Sequence, residues 1–256
     1  MRTADELRNA VEAYLRALHL APELGRLEEA VRYALESGGK RIRPVLCLAV
    51  AEAAGGEVGS ALPAAAAVEL VHTFSLVHDD LPALDDDIER RGRPSAHVAF
   101  GEGVALLAGD ALLAEALRLA LTYDDQSIAR ELVEATLRMI GGQHRDITSD
   151  DADLAEVERL KTGSLFSAAV GLGVRAAGVL DADQAPWRAF GDELGLLFQV
   201  VDDLLDEDGF AARVGAEGAR QLADDAAGRA RERLDELPAE TAVLRELVDV
   251  LAVRTA

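Results

Sequence analysis

The sequence predicts an all-α fold, with roughly ten helices in one domain, and three observations carry that prediction. Alanine and leucine dominate, and half of the 256 residues are apolar, a mix that favours helices. Aromatic residues make up 4% and β-branched runs are scarce, which weighs against strands. No segment alternates apolar and polar residues over a strand's length, and neither a hairpin signal nor an internal repeat is visible. The length suits one large domain, and we expect a single one over residues 1–256.

Each element has its own signal. Asp5–Leu20 places Leu7, Val11, Tyr14, Leu15 and Leu18 on one stripe, and Pro22 closes it. Leu27–Leu35 is a second helix, stopped by Ser37-Gly38-Gly39. Pro44 suits the first turn of a helix over Val45–Ala54. Gly55-Gly56 and Gly59-Ser60 read as a loop, with Pro63 opening the helix that runs to His78. Pro82 breaks that helix. Val104–Leu121 and Ile128–Ile140 read as helices, and Gly141-Gly142 marks a boundary. Leu154–Leu180 and Pro186–Asp206 follow, then a loop, then Ala216–Leu234 and Ala242–Val253.

Composition excludes several classes. The formal net charge of −21 argues against nucleic acid or an anionic membrane as the main partner. The apolar stretches around Val45–Ala51 and Ala168–Leu180 are too short, or interrupted by Arg175, for stable membrane insertion. The N-terminus opens on charges without an apolar signal core, and the single Cys47 fits a reducing compartment, so the expectation is a cytoplasmic protein.

Two acidic clusters stand out. Asp79-Asp80-Leu81-Pro82-Ala83-Leu84-Asp85-Asp86-Asp87 follows an apolar helix, and Asp202-Asp203-Leu204-Leu205-Asp206 ends another. Such crowding needs compensating cations, and Mg²⁺, with Mn²⁺ as the alternative ion, takes oxygen ligands while keeping waters and substrate phosphates in its shell. Asp202 and Asp206, four apart, share a helix face. Asp79 and Asp85, six apart, do not, so Pro82 and the extra spacer residues must bulge the chain to bring them together. Asp80 and Asp203 complete the candidate metal set. Of the 26 basic residues only two are lysine, Lys40 and Lys161, and both sit in glycine-flanked motifs. With Arg43, Arg90 and Arg91 they form a candidate diphosphate-binding group. His72 lies on the apolar helix before the first cluster. Gly171-Leu172-Gly173-Val174-Arg175-Ala176 matches a dinucleotide-binding pattern, but no strand precedes it, so a close helix crossing explains it better.

Eight motifs, in order and spanning residues 38–206, resemble the trans-isoprenyl diphosphate synthases. They are Gly38-Gly39-Lys40-Arg41-Ile42-Arg43-Pro44, His72-Thr73-Phe74-Ser75, Asp79-Asp80 with Asp85, Arg90-Arg91-Gly92, Gly109-Asp110, Gly142-Gln143, Lys161-Thr162-Gly163, and Phe198-Gln199-Val200-Val201-Asp202-Asp203 with Asp206. The resemblance implies one isoprenoid-synthase-like helical bundle around a central cavity, usually a homodimer. It implies condensation of isopentenyl diphosphate with an allylic diphosphate, dimethylallyl or geranyl. By motif position, Lys40, Arg43, His72 and Arg91 would hold isopentenyl diphosphate, and Arg90 and Lys161 the allylic diphosphate. Asp79, Asp85 and Asp202 would hold Mg²⁺, and Thr162 and Gln199 would line the path of the cation. Phe74, five residues before Asp79, would floor the cavity and stop growth at farnesyl diphosphate (C15), as in bacterial farnesyl diphosphate synthases. A geranylgeranyl (C20) synthase and a non-catalytic partner subunit are the alternatives. After Asp206 the family usually carries a flap lysine, whereas here no lysine follows Lys161 and the loop looks shortened.

Overall fold

The computed structural model describes residues 1–148, 154–206 and 209–253, the side chains of Leu154 and Asp206 excepted. The described residues are overwhelmingly helical. Helices α1 (Ala4–Ala17), α2 (Leu27–Leu35) and α12 (Ala242–Val253) flank a bundle built from α3 (Ile42–Ala53), α4 (Val58–Asp79), α6 (Glu102–Ala120), α7 (Ser127–Thr148), α9 (Ser164–Ala176) and α10 (Ala185–Asp206). Short helices α5 (Ala96–Phe100) and α8 (Leu154–Glu158) lie in the connections, and α11 (Gly209–Asp235) packs along α10.

Helix α4 is the axis. It packs against α3, α6 and α9, and Ala64–Val71 is buried without a break. Small side chains there let three neighbours approach, and larger ones from the outer helices fill the remaining space. Its length and composition would suit a membrane span, but 67% of its most apolar window is buried inside the protein, as in the core helix of a bundle. Pro63 predicts a helix that starts there and runs to His78. In the structure α4 begins at Val58 and Pro63 lies inside it. Proline removes an N–H and disturbs the ladder. Tyr123 repairs the break: its hydroxyl accepts from the Ala64 N–H (3.1 Å) and donates to the Ser60 carbonyl (2.6 Å).

Other boundaries shift for physical reasons. Helix α7 runs through Gly141-Gly142, eight residues past its expected end at Ile140. Gly142 does not stop the helix: a Cβ there would sit 2.6 Å from the Lys161 backbone nitrogen, so it makes room for a neighbour. The loop expected between Asp206 and Ala216 is helical from Gly209, with a kink at Gly215 (φ 77°) where α11 bends. Arg91 (φ 54°) and Gly92 (φ 76°) form the left-handed turn of a minimal antiparallel ladder, β1 (Glu89–Arg90) with β2 (Arg93–Pro94), which the sequence did not announce. Gly171 and Gly173 lie within α9, and a Cβ on Gly173 would meet the Cys47 carbonyl at 2.6 Å, so the dinucleotide-like pattern is a helix crossing.

Candidate active site

A cavity of about 920 Å³ opens between α3, α4, α6, α7, α9 and α10. Lys40, Arg43, His72, Phe74, Asp79, Arg91, Lys161, Thr162 and Asp202 all line it. Residues far apart in the chain therefore meet as expected.

The cationic wall comes from the turn before α3. Arg41 takes a left-handed conformation (φ 50°) and buries its guanidinium against Glu12, Glu69 and the Leu35 carbonyl. That turn sends Lys40 and Arg43 to the cavity. Arg43 packs over two rings, 4.6 Å from the Phe166 centroid and 5.3 Å from that of Phe198. Burial lowers its pKa to about 10, so it stays cationic at neutral pH. Its Nε is buried without a hydrogen-bond partner among the described residues. An orphaned buried donor facing a cavity is what an anionic ligand would satisfy. His72 Nε2 lies 3.5 Å from Arg43, and burial followed by the charges of Arg43 and Arg91 pushes its pKa well below the usual value. The imidazole is thus neutral and can hydrogen-bond a ligand without adding charge. Arg91 reaches from the β1–β2 turn and donates to the Gly38 carbonyl, lying against Gly39 where a side chain would collide with it. Buried Glu69 is the counter-charge beneath this group, its own pKa raised by burial and pulled back by Arg41.

The acidic rim divides each aspartate pair. Asp79 lines the cavity, and burial raises its carboxyl pKa to about 6, with Asp85 adding to the shift and Lys161 opposing it. The chain doubles back after Pro82: the Asp85 N–H donates to the Asp79 carbonyl (2.9 Å) and the Asp86 N–H to that of Leu81 (3.2 Å). This is the bulge that the six-residue spacing required, and it leaves Asp85 exposed, near Asp79 but outside the residues that line the cavity. Asp80 turns the other way. It is buried in an ion pair with Arg90, whose guanidinium also reaches Asp87 at 3.1 Å. Neither Asp80 nor Arg90 lines the cavity in this structure: Asp80 anchors the β1–β2 turn, and Arg90 is its partner.

The second cluster repeats the division. Asp202 lines the cavity. Asp203 is buried behind it, accepting from Gln199 Nε2 and from the Phe210 N–H at 2.7 Å. It therefore caps the start of α11 and is not placed as a metal ligand. Gln199, expected on the path of the cation, does not line the cavity, and its Oε1 is buried and unpaired among the described residues. The side chain of Asp206 lies outside the described residues.

Lys161 and Thr162 sit in a π-helical turn, Arg159–Gly163, between α8 and α9. Such turns widen a helix and re-aim side chains. Two glycines make space for it: Gly142 on α7 faces the Lys161 backbone, and a Cβ on Gly195 of α10 would meet Gly163 at 3.3 Å. Lys161 Nζ is held by Asp146 at 2.7 Å. Gln143, expected only as part of a motif, lines the cavity with both amide atoms buried and unpaired among the described residues. It is a ligand-facing group that its motif alone did not mark, while Glu69 and Arg41, equally unmarked, form the buried ion pair that supports the cationic wall. A lone glutamate within the apolar run Ala64–Val71 was the available signal for Glu69. Below the charged rim the walls turn apolar, with Phe74, Leu113, Met139 and Leu165.

These donors suit a hard divalent ion. Asp79, Asp85 and Asp202 offer only oxygen, the donor type such an ion takes, and among the described residues no three His, Cys, Asp or Glu side chains are grouped to hold a metal ion.

The comparisons agree with this geometry. The polyprenyl synthetase family model matches residues 25–225. The chain is 45% identical over 219 residues to the heterodimeric geranylgeranyl pyrophosphate synthase large subunit 1, chloroplastic, of Arabidopsis thaliana, covering 78% of this chain and 59% of that protein. It is 43% identical over 193 residues to geranylgeranyl diphosphate synthase of Cyanophora paradoxa, covering 70% and 64%. The chain thus spans about six-tenths of the length of these curated relatives. Among solved structures, a putative farnesyl-diphosphate synthase from Marinomonas sp. MED121 superposes with a TM-score of 0.86 at 34% identity, over 97% of both chains. A geranylgeranyl pyrophosphate synthase superposes at 0.90 with 26% identity over the whole of both chains. With the motifs, the cavity and these matches in accord, the chain belongs to the polyprenyl synthetase family of trans-isoprenyl diphosphate synthases.

Proposed function

We propose that the protein is a Mg²⁺-dependent prenyltransferase that condenses isopentenyl diphosphate with an allylic diphosphate. The observation that carries this reading is one cavity with an acidic rim at Asp79 and Asp202, a cationic wall at Lys40, Arg43, Arg91 and Lys161, and an apolar floor. Lys161 would bind the allylic diphosphate at the rim, beside Asp79, Asp85 and Asp202. Those three would hold Mg²⁺, which when bound neutralises charge on the departing diphosphate. Lys40, Arg43 and Arg91 would hold the second diphosphate, with neutral His72 as a hydrogen-bond partner. The allylic C–O bond breaks, the diphosphate leaves, and the double bond of isopentenyl diphosphate attacks the cation to form the new C–C bond. A proton then leaves the adjacent carbon, with the released diphosphate as acceptor. The hydroxyl oxygen of Thr162 and the amide oxygen of Gln143, both on the cavity wall, would stabilise positive charge where it develops.

The relatives named as geranylgeranyl synthases favour a C20 main product over the C15 expected from Phe74. Farnesyl diphosphate stands as the second reading, because Phe74 does line the cavity. We also propose a homodimer. Val133 and Leu137 on α7 and Val104 and Leu107 on α6 are exposed apolar side chains outside the cavity lining.

The test is incubation of the purified protein with isopentenyl diphosphate, Mg²⁺ and each of the C5, C10 and C15 allylic diphosphates. Diphosphate release with chain extension supports the proposal, and extension of the C15 substrate supports the C20 product. Release with a hydrocarbon product, or no turnover with any substrate, would sink it. Phe74→Ala should lengthen the main product, and an unchanged distribution by chromatography would remove Phe74 as the floor.

A further inference from the structure

Phe74 does not stand alone at the cavity floor. One turn on, His78 meets it edge-on, with ring centroids 4.9 Å apart and planes at 71°. His78 Nε2 lies 2.9 Å from the Leu106 carbonyl on α6. A carbonyl only accepts, so Nε2 carries the proton and donates. The ring reaches α6 only because residue 109 is glycine: a Cβ there would collide with the imidazole. Phe74 and His78 both line the cavity. The Phe74 ring is therefore held by a strut that crosses from α4 to the backbone of α6.

We infer that His78 is a positioning residue for product length, fixing the Phe74 ring through its tie to the Leu106 carbonyl over Gly109. An aromatic ring on a helix has a few staggered orientations, and only a fixed one sets a fixed floor. The edge-on contact favours the present orientation, and the hydrogen bond prevents the imidazole from moving away with it. Losing the tie lets both rings swing and deepens the cavity at times, so chains grow further before release.

This inference rests on the prenyltransferase reading. The test is the ratio of longer to shorter prenyl products from isopentenyl diphosphate and geranyl diphosphate, read by chromatography for wild type, His78→Phe and Gly109→Ala. His78→Phe keeps a ring and loses the donor. Gly109→Ala pushes the imidazole off α6 and leaves the α4 sequence intact. Each ratio should rise by about two- to tenfold, the worth of one intramolecular hydrogen bond. The ratio is independent of overall rate, and circular dichroism checks that each variant is folded. Wild type that elongates normally, with folded variants of unchanged or shorter product distribution, would overturn the inference. Wild type that elongates nothing would overturn the parent reading instead.

Discussion

The two Asp-Asp pairs, 79-80 and 202-203, do the same division of labour by different means. In each, the first carboxylate lines the cavity and the second turns away to hold the segment that follows. Successive residues on a helix point about 100° apart, so one pair at a helix end can serve a cavity on one side and a connection on the other. The tether differs. Asp80 holds the β1–β2 turn through the guanidinium of Arg90, ten residues on, while Asp203 holds the start of α11 through the Phe210 N–H, seven residues on. A charge–charge tether is sensitive to the loss of either charge. A cap needs only an oxygen in place.

The largest effect should come from the cavity-facing members. Asp79→Ala and Asp202→Ala should each lower turnover by about 10²- to 10³-fold or more, measured as diphosphate release. Near-normal turnover in either would break the comparison. The tethers come next. Asp80→Ala leaves a half-buried Arg90 with exposed Asp87 as its ion-pair partner among the described residues and should cost about 2–3 kcal/mol, read by chemical denaturation. Asp203→Ala removes a cap and should cost about 1–2 kcal/mol, with Asp203→Asn recovering most of it. Equal costs for Asn and Ala at 203 would show that the charge matters there too.

The smallest effect is one of pH. The folded pKa of Asp79, about 6, lies above the unfolded value of 3.8. Between those values the folded chain holds more protons, so this carboxyl lowers stability as pH rises from about 4 to 6. Asp79→Asn should therefore stabilise the metal-free protein at pH 7, by about 1–2 kcal/mol once solvent screening at the rim is allowed for. Below about pH 4 the difference should vanish. A constant difference between pH 4 and 7 would mean that Asp79 is not the group responsible.

Much of the site was legible because it is written in local spacing. The six-residue interval around Pro82 foretold the backbone reversal that brings Asp85 to Asp79, and the two rare lysines marked two real parts of the cavity. Which way a side chain points at a helix end is set by the next connection, and no spacing shows that. Hence Asp80, Asp203 and Arg90 were grouped with their cavity-facing neighbours. The π turn under Lys161 was hidden because its causes, Gly142 and Gly195, lie on other helices. The extra turns of α4 and α7 were missed because Pro63 and Gly141-Gly142 signal breaks locally. The hydroxyl of Tyr123 and the close approach of Lys161 override that signal from a distance.

The most direct test is calorimetric titration of inorganic diphosphate in the presence of Mg²⁺ into wild type and four single variants, Asp79→Asn, Asp80→Asn, Asp202→Asn and Asp203→Asn. The account predicts that the first and third lose binding, while the second and fourth bind as wild type does when kept below their lowered unfolding temperatures. Equal loss in all four, or retained binding in Asp79→Asn and Asp202→Asn, would contradict it.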